Sequence, residues 1–133
     1  MNKIIVVYGD NNVGKTTVIN EIYDELINQG ATVIKAKRRI GGDFNDFKSV
    51  LSFQNKSVAF LSMGDYRKTV DTYVNSYSKY NIFITALNKH FAHISTVWLK
   101  NSNIIYKIDK KSATTADNQL VKNKIKMLIK DKD

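Results

Sequence analysis

Eight residues near the N-terminus, Gly9-Asp10-Asn11-Asn12-Val13-Gly14-Lys15-Thr16, constrain this chain more than any other stretch. They separate two segments of different periodicity. Before them, Ile4-Ile5-Val6-Val7-Tyr8 is a short continuous apolar run, which predicts a buried strand over Lys3 to Gly9. After them, Val18, Ile19, Ile22, Tyr23, Leu26 and Ile27 recur at three- and four-residue steps. That spacing predicts a helix over Lys15 to Gln29, stopped by Gly30. A strand that turns through a glycine-bounded loop directly into a helix presents backbone N–H groups at the helix's positive end. Such a turn attracts an anion, and its glycines allow the close backbone approach that an anion requires.

The loop fits the pattern G-x-x-x-x-G-K-[ST] without departure. In that pattern the N–H groups from Gly9 through Asp10, Asn11, Asn12, Val13 and Gly14 wrap a phosphate. Lys15 reaches the β- and γ-phosphates, Thr16 places a hydroxyl on Mg²⁺, and Thr17 adds a contact to an α-phosphate. On Gly9–Thr17 the chain resembles the P-loop NTPase superfamily, and the α/β alternation described below extends the likeness loosely over its whole length. The resemblance implies ATP or another nucleoside triphosphate, with Mg²⁺, as the bound cofactors. It also implies an acid that holds the metal at the end of an apolar strand beside the loop's own strand. Val58-Ala59-Phe60-Leu61-Ser62-Met63-Gly64-Asp65 matches that element, with Asp65 as the acid and Asp43 as the alternative.

Along the rest of the chain, strands are predicted over Ala31–Lys37, Ser57–Met63, Asn81–Leu87 and Asn103–Asp109. Helices are predicted over Tyr66–Tyr80 and Thr114–Lys130, with a short one through Phe44, Phe47, Val50 and Leu51 capped by Asp43. Asn88–Lys100 reads either as a short helix or as a lid-like loop. Alternation of this kind predicts a three-layer α/β/α sandwich with a mostly parallel sheet of about five strands, the P-loop NTPase fold. No linker or repeat divides the chain, so residues 1–133 are expected to form a single nucleotide-binding domain, and the apolar fraction of 43% is enough for a core. Cysteine is absent, which removes disulfides and thiolate metal sites. No apolar run reaches the ~18–20 residues of a membrane span and no secretory leader is visible, so a cytoplasmic protein without a membrane partner is expected.

Within the superfamily, glutamate is confined to Glu21 and Glu25, and Tyr66 follows Asp65. That departs from the additional-strand ATPases, which place a glutamate beside the metal acid. It leaves the nucleotide-kinase and GTPase branch. The guanine reader of GTPases, Asn-Lys-x-Asp, is half present in Asn88-Lys89-His90-Phe91, with Phe91 where the aspartate belongs. A kinase needs cations around the transferring phosphate. Arg38, Arg39 and Arg67 are the candidates, with Lys89 or Lys100 in a lid. The Gly64-Asp65 strand ending also resembles small uncharacterised bacterial P-loop nucleotide-binding proteins.

The net charge of +9 raises the question of nucleic acid. Lys122, Lys126 and Lys130 share a helix face, but no aromatic residues interleave them to stack on bases. His90 and His93 read as surface or supporting groups, and Trp98 as cover for the core or a lid, with stacking on adenine as the alternative. Two functions stand. One is Mg-ATP-dependent phosphoryl transfer to an unidentified small-molecule acceptor, or hydrolysis. The other is a nucleotide-dependent switch or binding module that turns over little and acts on a protein or nucleic-acid partner.

Overall fold

The computed structural model describes residues 1–40, 45–63, 67–89 and 96–131, except the side chains of Arg67 and Thr96. The elements run β1 (Lys3–Gly9), α1 (Lys15–Asn28), β2 (Thr32–Arg39), β3 (Phe47–Phe53), β4 (Lys56–Leu61), α2 (Arg67–Ser76), β5 (Ile82–Asn88), α3 (Thr96–Asn101), β6 (Ile104–Asp109) and α4 (Thr115–Lys130). None of the helices among the described residues is long and apolar enough to cross a membrane.

The strands form one six-stranded sheet in the order β2-β3-β4-β5-β1-β6. Parallel pairing joins β4 to β5, β5 to β1 and β1 to β6, whereas β3 is antiparallel to both β2 and β4. The sheet is therefore mixed, and the expected five-stranded, mostly parallel P-loop NTPase sheet is corrected on both counts. The expected neighbourhood of β1 is corrected as well. The strand that leads toward Asp65, β4, does not lie beside β1, because β5 intervenes.

The extra strand is the segment expected to be a short helix. Phe47, Val50 and Leu51 are spaced three and four apart, which suits a helix. Yet Phe47, Leu51 and Phe53 lie at even intervals and join one core, while Val50 joins the other. Period two prevails because β3 has a strand on each side and buries apolar residues on both faces. Gln54 and Asn55, with φ of 48° and 65°, turn the chain back into β4. Positive φ at both central residues is the two-residue hairpin turn whose twist matches its strands.

The two faces of the sheet carry separate cores. Ile5 and Val7 of β1 pack with Val18, Ile19 and Ile22 of α1 and with Val121, Ile125 and Ile129 of α4. Ile4 and Val6 face the other way, toward Val70 and Val74 of α2 and Trp98 of α3. Fully burying each of these β1 aliphatics contributes about 1.5–3 kcal/mol, so β1 is anchored from both sides and the loop after it has a rigid base. On the α1 face the Tyr23 ring meets Phe47 and Phe60 edge-on at centroid separations of 5.2 and 5.3 Å. This contact locks the start of β3 against α1. The edge strand β2 is exposed along its whole length.

Candidate functional site

The loop after β1 is shaped by three backbone constraints. Asn12 and Gly14 have φ of 64° and 89°. Gly14 caps α1 in the left-handed region and supplies no side-chain hydrogen bond, and the first-turn N–H groups of a helix have no intrahelical acceptor. Gly9 is held so close to the β6–α4 segment that a Cβ on it would lie 2.4 Å from the Lys110 carbonyl oxygen. A side chain at Gly9 would therefore push the loop away from β6.

The Lys15 ammonium lies inside the loop, donating to the Gly9 and Asp10 carbonyl oxygens at 2.7 Å each. The Thr16 hydroxyl is 3.4 Å from Asp46 Oδ1. Asn20, one turn further along α1, donates from Nδ2 to the Thr16 and Asn45 carbonyl oxygens at 2.9 and 3.0 Å. Its Oδ1 accepts from Lys37 Nζ at 3.1 Å, and that ammonium rests 4.4 Å from the Phe47 ring centroid and 5.0 Å from that of Tyr23. Across the loop, Asn88 at the end of β5 donates from Nδ2 to Asn11 Oδ1 at 2.5 Å.

Asn11, Lys15, Thr16 and Asp46 border an open cleft of about 550 Å³. The loop and the first turn of α1 form one wall, and Asp46, Ser62, Ala86 and Ala113 complete it. Ala113 is presented by a braced turn. The Lys110 side chain is wholly buried and donates to Asp117 Oδ2 at 2.8 Å and to the Ser112 carbonyl oxygen. The backbone N–H groups of Lys111 and Ser112 donate to the same carboxylate at 3.0 and 3.2 Å. The hydrogen bond from Lys110 is the main reason the Asp117 carboxyl is held below the usual aspartate range. The two backbone bonds add to it against the opposing effect of desolvation. Thr114 caps α4 by accepting from Asp117 N at 3.2 Å.

The predicted loop residues, Gly9 to Thr17, are contiguous, and all from Asn11 except Val13 border the cleft. Arg38 and Arg39 are instead exposed on the edge strand β2. The cation from that strand that reaches α1 beside Thr16 is Lys37, through Asn20. Asp65, Asp43, His90, His93, Phe91 and the Arg67 side chain lie outside the described residues. Trp98 is buried to 1% exposure with its indole N–H on Asp71 Oδ1 at 2.6 Å, which places it in the core. Lys89 borders a second, smaller cavity with Tyr8 and Asp10, and Lys100 is exposed on α3. The lysine face of α4 turns toward α1: Lys122 Nζ is 3.2 Å from Glu21 Oε2, and Lys126 Nζ is 3.5 Å from Glu25 Oε2.

Sequence reasoning missed Asp46, Lys37, Asn20 and the Lys110–Asp117 brace. For Asp46 a signal existed. It immediately precedes the alternation Phe47, Ser49, Leu51, Phe53, so reading that run as a strand would have put a carboxylate at a strand end. Comparison with family models, curated proteins and solved structures returned no match.

Proposed function

We propose that this chain binds a nucleoside triphosphate with Mg²⁺ in the cleft over Gly9–Thr17, and that the bound nucleotide undergoes phosphoryl transfer or hydrolysis. The proposal rests on local geometry and not on the overall fold. The observation that carries it is the Lys15 ammonium held by two loop carbonyls beneath a cleft headed by a glycine-capped helix. A cation and a helix N-terminus converging on one concavity favour a polyphosphate. The donors fit Mg²⁺ too. The cleft offers hard oxygen ligands such as the Thr16 hydroxyl, and no cluster of three His, Cys, Asp or Glu occurs among the described residues. A small cation that keeps several waters and takes phosphate oxygens needs no protein cage. When bound, it would neutralise charge on the phosphates. Lys15 would bear on the β- and γ-phosphates from within the loop, and the braced Lys110–Thr114 turn would limit the space beside the nucleotide.

A thermal-shift screen of ATP, GTP, ADP and deoxynucleoside triphosphates with Mg²⁺ tests the binding. Ligand at 100 times its Kd should add about 2.7 kcal/mol of stability. Lys15→Ala should abolish the shift. An identical response of both proteins to every triphosphate, with neither binding any, would refute the proposal.

A second reading, the nucleotide-dependent binding module, is favoured by one observation. Arg38 and Arg39 are exposed on the sheet edge and are not among the residues bordering the cleft. Turnover separates the two. A kinase turns over ATP faster, transferring its γ-phosphoryl group, when its acceptor is added from a nucleoside and nucleotide panel. A module binds tightly, turns over negligibly, and captures a partner only in one nucleotide state.

A further inference from the structure

The reading of the cleft as an Mg-triphosphate site leaves its acid to be found. We infer that Asp46, at the entry to β3, is the carboxylate that holds this Mg²⁺ together with Thr16. The inference rests on the proposed nucleotide site and adds a residue that lies on a different strand from the acid the sequence pattern suggests.

The topology explains why an acid should come from there. Ligands gather at the carboxyl ends of parallel strands, and the residue just past β4 that borders the cleft is Ser62, a hydroxyl instead of a carboxylate. Because β3 runs antiparallel to β4, its beginning lies beside that end. Ser62 N donates to the Phe47 carbonyl oxygen at 3.0 Å, and Phe47 N donates to Ser62 Oγ at 2.8 Å. The inserted strand thus delivers its first residues to the side of the sheet where the loop opens. The Tyr23–Phe47 contact and the Asn20–Asn45 hydrogen bond fix the residues flanking Asp46 against α1.

Asp46 itself is 7% exposed, yet it borders the cleft shared with Lys15 and Thr16. Two oxygens on adjacent positions of an octahedral Mg²⁺, each at about 2.1 Å, are roughly 3.0 Å apart. Thr16 Oγ1 and Asp46 Oδ1 are 3.4 Å apart, so both oxygens would be placed to hold one ion, directly after a small shift or through a water. With the ion bound, the Thr16 hydroxyl would offer it a lone pair and donate its proton elsewhere.

The test measures binding, not turnover. ATP affinity is determined calorimetrically with Mg²⁺ and with EDTA for the wild type, Asp46→Asn, Asp46→Glu and Asp65→Asn. Mn²⁺ binding in the presence of ATP is followed by electron paramagnetic resonance. Melting curves show that each variant is folded. In the wild type Mg²⁺ should tighten ATP binding. Asp46→Asn should lose about tenfold or more of that metal-dependent gain and weaken Mn²⁺ binding, with affinity in EDTA unchanged or improved. Asp46→Glu should retain part of the gain, and Asp65→Asn should retain all of it. The inference is overturned if Asp46→Asn keeps the full metal dependence. It is also overturned if wild-type ATP binding is indifferent to Mg²⁺, a result that leaves the nucleotide site standing. Absence of ATP binding by the wild type under both conditions removes the nucleotide site itself, and this assignment with it.

Discussion

Gly9→Ala should destabilise this protein by closing a gap that the backbone has already used. A Cβ at residue 9 falls 2.4 Å from the Lys110 carbonyl oxygen and 3.1 Å from Val13 Cγ2. Comfortable carbon–oxygen contacts begin near roughly 3.3 Å, so about 0.9 Å must be found. Lys110 cannot give it easily. Its N–H donates to the Tyr8 carbonyl oxygen at 2.7 Å, and its ammonium is buried against Asp117. Overpacking of this kind costs about 1–3 kcal/mol. For 133 residues the unfolding entropy is about 0.28 kcal/mol/K, so the melting temperature should fall by roughly 4–11 °C. Gly14→Ala is the informative companion. Its Cβ would meet nothing closer than 3.4 Å, but φ of 89° imposes left-handed strain of about 1–2 kcal/mol. Calorimetric melts of both variants, with ATP titrations alongside, measure the two effects. A Gly9→Ala protein melting within about 1 °C of wild type would mean that Lys110 does not press on the loop, and the packing described between β1 and the β6–α4 segment would be wrong.

Three further outcomes are expected. Lys3 is fully buried and donates to the Leu128 and Asp131 carbonyl oxygens at the end of α4, at 2.7 and 3.3 Å. Lys3→Met should cost about 1–3 kcal/mol in urea unfolding and speed hydrogen exchange in the last turn of α4. Asn55→Gly should stabilise the β3–β4 hairpin by about 0.5–1 kcal/mol, measurable as a rise in melting temperature, because glycine adopts positive φ without a Cβ penalty. Asp117 has its carboxyl lowered in the folded state, which holds fewer protons than the unfolded chain between the two pKa values. Its contribution is present above about pH 4 and is lost as pH falls through the folded value. Asp117→Asn should therefore flatten the acid limb of the stability–pH curve, and an unchanged limb would assign acid unfolding to other carboxylates.

Much of the candidate site was legible because it is contiguous. Gly9 to Thr17 form one loop and one helical turn, and the glycines, the lysine and the threonine occupy set intervals within it. The cations were not legible in the same way. Arg38, Arg39 and Lys37 are neighbours in sequence, but pairing with β3 shifts register between Val33 and Lys35 and again between Lys35 and Arg38. Spacing in the sequence does not say which of the three meets α1, and Lys37 is the one that reaches Asn20. The lysines of α4 show the same limit. Helical spacing put Lys122 and Lys126 on one face, and only the packing of α4 beside α1 directs that face at Glu21 and Glu25.

By itself the sequence determined the elements whose periodicity is unambiguous over a long enough window, β1 and α1 above all, together with the glycine-bounded turn between them. Tertiary structure alone decided that Phe47–Phe53 is a strand, that β5 separates β4 from β1, and that Asp46 meets Thr16 across thirty residues of chain. The physical reason is that a hydrogen-bonded turn or helix is stabilised by residues three or four apart. A strand's identity and neighbours depend on partners distant in sequence, and the side chains they bring together are set by which strands pair and in which direction.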